Sequence, residues 1–254
     1  MSSRNSILAG ATAIALSFGT AQASVVTVDG TWNGQVSVVT PITGGSITWT
    51  PLPSQSPFQT KTGGNAGQGD ALLTGPFTGV GVTGGTAGEI DIGQSVIGTI
   101  NVAGGVAITS FVVGFLYDGP EFGDVQEVAQ ISVLSLTQGL LTATLTNTFI
   151  SAAGTEPPVW TGTGTVTMLS PSGSSNTTTD GAVWRVTNPF AGVNDITQIT
   201  FTALPGTCGV KECNNQSDYT FVQLVTAVPE PASLALLGMG LLGLGFAARR
   251  RRAH

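Results

Sequence analysis

Histidine is almost absent from this chain: the single one among 254 residues is His254, the last. Without an imidazole upstream, no Ser-His-Asp or Cys-His unit can be assembled, and a common catalytic zinc ligand is missing. Basic side chains are nearly as scarce. There are 8 of them against 14 acids, and five of the 8, Arg4 and Arg249 to Arg252, sit at the two ends. Between residues 24 and 228 only Lys61, Arg185 and Lys211 stand against 13 acids, which leaves −10 and excludes the basic surface that nucleic acid requires. A sustained 3.6-residue period is lacking over the same span, so amphipathic helices are not expected there.

What the chain does have is two distinctive ends. Near the start, Arg4 precedes an apolar stretch from Ile7 to Phe18 that is too short to span a bilayer, and Ala21-Gln22-Ala23 forms an A-x-A cleavage site. These features predict a signal peptide over 1–23, removed by signal peptidase between Ala23 and Ser24 after entry into the Sec export route. At the other end, Ala232 to Ala248 is a run of 17 residues without a charge. As a helix it would cover roughly 26 Å, just the thickness of a bilayer core. Arg249, Arg250, Arg251 and Arg252 follow at once, and such residues are retained on the cytoplasmic side, which predicts a precursor inserted in the inner membrane with its body outside. Gly238-Met239-Gly240-Leu241-Leu242-Gly243 matches a dinucleotide fingerprint by letter, but no strand precedes it and no acidic ribose ligand follows.

Pro229-Glu230-Pro231, the apolar helix at 232–248 and the arginine cluster at 249–252 together resemble the sorting signal of PEP-CTERM proteins. The order of the three parts makes the match specific, and it covers residues 228–254 only. The resemblance implies that an exosortase, a membrane-embedded cysteine transpeptidase or protease, cuts near Pro229-Glu230-Pro231. It further implies delivery to the outer surface or exopolysaccharide matrix of a Gram-negative bacterium. A permanent single-span anchor is the alternative.

The segment 24–227 is long enough for a single β domain. Alternating or β-branched stretches occur at 25–28, 35–39, 46–50, 89–92, 96–102, 109–117, 130–136, 140–148, 164–169, 182–187, 196–203 and 219–226. Short strands separated by Gly, Pro, Asn and Ser predict an all-β fold, an antiparallel, jelly-roll-like β-sandwich. The glycine-rich stretch Lys61 to Gly88 and the polar stretch Ser170 to Gly181 read as loops, with Lys61 as an ordinary solvated lysine. Cys208 and Cys213 are the only cysteines. In an exported chain they predict a disulfide across a short loop, worth about 2 kcal/mol, since zinc would need about four ligands.

No catalytic residues stand out. The acids of Tyr117 to Glu127 read first as a solvated hairpin loop and second as a Ca²⁺ site, with Asp118, Glu121 and Asp124 as hard oxygen ligands. A glycosidase pair there, with Glu127 included, is the remote alternative. Beyond Ca²⁺, no cofactor is expected. Trp32, Trp49, Trp160 and Trp184 are expected in core or sheet-edge packing rather than as sugar platforms. The reading is a non-enzymatic surface or matrix protein, with a carbohydrate-binding or adhesive module of the exopolysaccharide as the alternative and a carboxylate-dependent glycoside hydrolase as a distant third.

Overall fold

A computed structural model describes residues 22–63, 76–117, 125–147, 158–170, 181–208, 217–229 and 240. Gln22–Pro229 forms one compact unit. Its elements run β1 (Ala23–Thr27), a 3-10 turn (Gly30–Trp32), β2 (Val38–Ile42), β3 (Gly45–Leu52), β4 (Phe58–Gly63), β5 (Phe77–Val82), β6 (Ile90–Asp91) and β7 (Ser95–Val102). They continue with β8 (Ala107–Gly114), β9 (Gln126–Ser135), β10 (Gly139–Thr146), β11 (Val159–Trp160), β12 (Thr165–Ser170), β13 (Val183–Thr187), β14 (Ile196–Thr207) and β15 (Asp218–Ala227).

These strands form two antiparallel sheets, as the short alternating segments predict. One has the order β12-β13-β8-β15-β5-β4, with β1 and β6 also on β15; the other has the order β11-β10-β9-β14-β7-β3-β2. β7 continues into β8 from one sheet to the other, and their respective partners are β14 and β15, one in each sheet. Aromatic rings from both sheets meet between them. Phe201 of β14 stacks on Phe221 of β15 at 4.5 Å, and Trp49 of β3 stacks on the same ring at 4.9 Å. The large apolar area of such rings supplies much of the drive for the two faces to close.

Burial follows sequence pattern strand by strand. In β9 every second residue is inside, with Ala129, Ile131 and Val133 in the core, which is the signature of a sheet wetted on one face. β15 differs, because its residues are buried continuously from Asp218 to Thr226. Tyr219 and Phe221 face the main core, while Val222 joins Phe77, Val112, Phe115 and Leu169 in a second cluster. An uninterrupted run of Tyr, Phe, Val and Leu suits a strand covered on both sides.

Each of the twelve expected segments overlaps a strand. The correction concerns Lys61 to Gly88, which is not all loop: it holds the end of β4 and the whole of β5. β5 carries glycine where neighbours press against its backbone. A Cβ on Gly79 would lie 2.2 Å from Thr220 Oγ1, and one on Gly81 would lie 1.9 Å from the carbonyl oxygen of Glu89. Those glycines are demanded by close approach, and they remove the alternation by which a strand is recognised.

β1 pairs with β15 along its whole length, from Ala23 opposite Ala227 to Thr27 opposite Gln223. The beginning and the end of the compact unit therefore emerge side by side.

Candidate functional site

One edge of β15 is shared by three short partners, and this sharing builds the site. β1 takes Gln223 to Ala227, β5 meets Phe221 through Val80, and β6 places Asp91 opposite Asp218 and Ile90 opposite Tyr219. The register of β6 on β15 thus sets two acids side by side, and Glu89 immediately precedes them in the chain. Glu89 is 2% exposed and Asp218 and Asp91 are each 3% exposed. Lys61 of β4 reaches in from the edge of the sheet, its Nζ 2.6 Å from Glu89 Oε1 and 4.3 Å from the centroid of the Phe115 ring. The expectation of a solvated Lys61 is therefore corrected. The sequence pattern hid β4, and with it the pairing that carries this lysine to an acid 28 residues away.

The loop from Thr83 to Gly88 is tied to the same acids. The Thr86 amide donates to both Asp91 oxygens at 3.0 Å, and its hydroxyl donates to Asp218 Oδ2 at 2.7 Å. Thr220 Oγ1 donates to the Gly88 carbonyl at 3.0 Å. Gly88 has φ +78, and a Cβ there would fall 2.5 Å from Lys61 Cβ. A glycine is needed both for the left-handed conformation and to let Lys61 lie against the backbone.

Burial sets the electrostatics. Loss of water around Glu89 pushes its carboxyl up to about 8, helped by the charge of Asp218 and opposed by Lys61. Burial raises Asp218 as well, against the hydrogen bonds from Thr86 and Glu89. The two carboxyls act on each other: the charge of Asp218 favours the protonated form of Glu89, and the hydrogen bond with Glu89 favours the ionised form of Asp218. The Lys61 ammonium then balances the remaining charge, which is how a buried acid pair becomes tolerable.

The acids expected at 117–127 are divided. Asp118, Glu121 and Asp124 lie outside the described residues. Glu127 is fully buried, a correction to its reading as part of a solvated loop. Its carboxylate accepts from the Tyr117 amide, and its carbonyl accepts from the Asn147 amide at 3.0 Å. Among the described residues no group of His, Cys, Asp or Glu is arranged to hold a metal ion.

The tryptophans stand where they were expected. Trp32, Trp49 and Trp184 are buried. Trp160 is half-buried, packs edge-on against Phe111 at 5.7 Å, and donates from Nε1 to the Thr163 carbonyl at 2.6 Å. Sequence reasoning did not bring Lys61, Glu89, Asp91 and Asp218 together. One signal was available: with so few cations between residues 24 and 228, each one must answer several acids.

At the ends, Ala23 and Ser24 lie in β1, where Ser24 Oγ donates to Thr43 Oγ1 at 2.9 Å and accepts from the Thr43 amide at 2.8 Å. Cys208 is exposed just after β14 and is not a free thiol, while Cys213 lies outside the described residues. Pro229 is half-buried two residues beyond β15. Glu230, Pro231 and Arg249 to Arg252 lie outside the described residues, and of the span 232–248 only Gly240 is described, as helical. Among the described residues no helix is long and apolar enough to cross a membrane.

Comparison with known proteins bears on this end alone. Neither a curated protein nor a solved structure matches the chain. The family profile that does match begins at Ala227, the last residue of β15, and runs to Arg252. Over residues 227–252 the chain carries a PEP-CTERM protein-sorting motif, which marks it as an exported protein processed by an exosortase.

Proposed function

We propose that the compact unit is a non-enzymatic structural protein of the outer surface or extracellular matrix of a Gram-negative bacterium. In this reading the signal peptide at 1–23 starts export. The helix at 232–248, with Arg249 to Arg252 inside, then holds the precursor in the inner membrane until an exosortase cuts at Pro229-Glu230-Pro231. A Cys208–Cys213 bridge closes the loop after β14, and the two antiparallel sheets support a jelly-roll-like winding. The observation that carries the reading is the join between fold and motif. β15 is complete at Ala227, where the sorting motif begins, so a cut at Pro229 leaves every described strand in place.

A structural role is favoured over catalysis by the state of the interior acids. Glu89 and Asp218 are enclosed, at 2% and 3% exposure, whereas the two carboxyls of a glycosidase must flank the scissile bond of a bound sugar. A carbohydrate-binding role is less favoured because Tyr117, Tyr219, Trp32, Trp49 and Trp184 are buried and Trp160 is half-buried, its ring packed edge-on against Phe111.

Terminal-peptide mass spectrometry on the extracellular fraction tests the reading. An N-terminus at Ser24 together with a C-terminus close to Pro229 is expected; full-length chain held in membranes would overturn processing in favour of a permanent anchor.

A further inference from the structure

We propose that Lys61 and Glu89 become joined by an amide bond between Nζ and Cδ, with Asp218 moving the protons. The contact is already made: Nζ lies 2.6 Å from Glu89 Oε1. Amide formation between an amine and a carboxyl in water is disfavoured for two reasons. The groups meet as an inert ammonium–carboxylate pair, and the water released is at overwhelming concentration. This site addresses the first.

Glu89 is enclosed and the charge of Asp218 favours its protonated form, so its carbonyl carbon is presented as a neutral acid, the electrophilic form. The Phe115 ring face, 4.3 Å from Nζ, screens one side of Lys61 and holds the ammonium in place beside Glu89. Asp218, held by Thr86 Oγ1 at 2.7 Å, is the base. The Gly88 backbone fixes Lys61 against the acid-bearing loop, so the reaction is unimolecular and the geometry is supplied by folding.

The step balances without an outside reagent. The Lys61 ammonium gives one proton to the Asp218 carboxylate, relayed through Glu89, and the free amine attacks Glu89 Cδ. The C–N bond forms as the amine loses a second proton, and the C–O bond breaks as the departing hydroxyl takes a proton from the Asp218–Glu89 pair. The products are one secondary amide, one water and a protonated Asp218, neutral in total as the reactants were. The Lys61 side chain is 35% exposed, which leaves an open side through which that water departs.

The bond would also answer a structural need. β4 is the last strand of its sheet, paired with β5 and otherwise tied by the hydrogen bonds of Phe58 with Gly34 and Gln35 and of the Thr60 amide with Asn33 Oδ1, and edge strands are where sheets peel and mispair. An amide from β4 to Glu89 sews that edge to the loop that leads into β6. The proposal rests on the geometry of the compact unit and not on its sorting.

Trypsin supplies the test, because it cuts after lysine only when the side-chain amine is free. Full-length protein is expressed, unfolded, reduced and digested. The expected result is an uncut Lys61–Thr62 bond and a fragment running through to Arg185 that is lighter than its sequence by one water. The Lys61→Arg variant is expected to be cut after residue 61 and to have full mass. Complete cleavage after Lys61 in the wild-type chain, at full mass, would overturn the proposal. Asp218→Asn separates the roles: folded but unlinked protein supports Asp218 as the proton-moving group, and linkage equal to wild type removes that role.

Discussion

Glu89 and Asp195 are both hydrogen-bonded carboxyls of one sandwich, and they are pushed in opposite directions. Glu89 sits inside, where burial and a neighbouring acid raise it to about 8 in spite of a lysine in contact. Asp195 stands at the surface beside the β9–β10 turn, where the Ser135 hydroxyl and the Thr137 amide, the latter at 2.8 Å, donate to it and hold it below the usual range. Removal of water outweighs even a direct cation at the first site, while donors decide the second because hydration is kept. An acid's partners therefore do not reveal its charge until its burial is known.

The most damaging way to break this contrast is to open the interior site. Gly81→Ala would place a methyl group on the Glu89 carbonyl, forcing β5 away from the acid-bearing loop. The expected loss is about 4 kcal/mol in urea unfolding, beyond the range of ordinary substitutions. Next comes the charge state itself. Lys61→Arg keeps a cation but forms no amide, so Glu89 remains free to titrate.

Because its folded value of about 8 lies above the reference value of 4.5, the folded state of that variant binds more protons in between. Its stability should be greatest below about 4.5, fall as pH rises towards 8, and change little from this group beyond. Thermal melts across that interval check the slope, and a linked wild-type protein should lack it. The smallest effect is expected at the surface. Asp195 is lowered when folded, so its contribution is present above the unfolded value and is lost as pH falls through the folded one. Asp195→Asn should flatten the acid limb of the melting curve while leaving neutral pH nearly unchanged.

These two sites also mark what the sequence makes legible. β7, β9 and β10 announce themselves because their residues alternate, with Ile131 and Val133 inward and Gln130 and Ser132 outward, and the tryptophans follow from their area alone. The surface turn at Asp195 is readable as turn chemistry. The interior site is not, for two physical reasons. β5 gives up its side chains at Gly79 and Gly81 so that Thr220 and the Glu89 backbone can come close. The meeting of Asp91 with Asp218 depends on a strand register that closes across more than half of the compact unit, and local pattern carries no record of such a register. The acids that do stand out in sequence, Asp118, Glu121 and Asp124, lie outside the described residues, and Glu127 turned inward.

The pairing of β1 with β15 has a mechanical consequence. With Ala23 opposite Ala227, two attachments, one at each terminus, would pull the strands apart from a common end and break their hydrogen bonds one at a time. A single attachment at the C-terminus instead draws β15 along its own axis, between β8 on one edge and β1 on the other. Many hydrogen bonds then resist together in shear. A body hung by its tail alone is loaded in the direction in which its sheet is strongest.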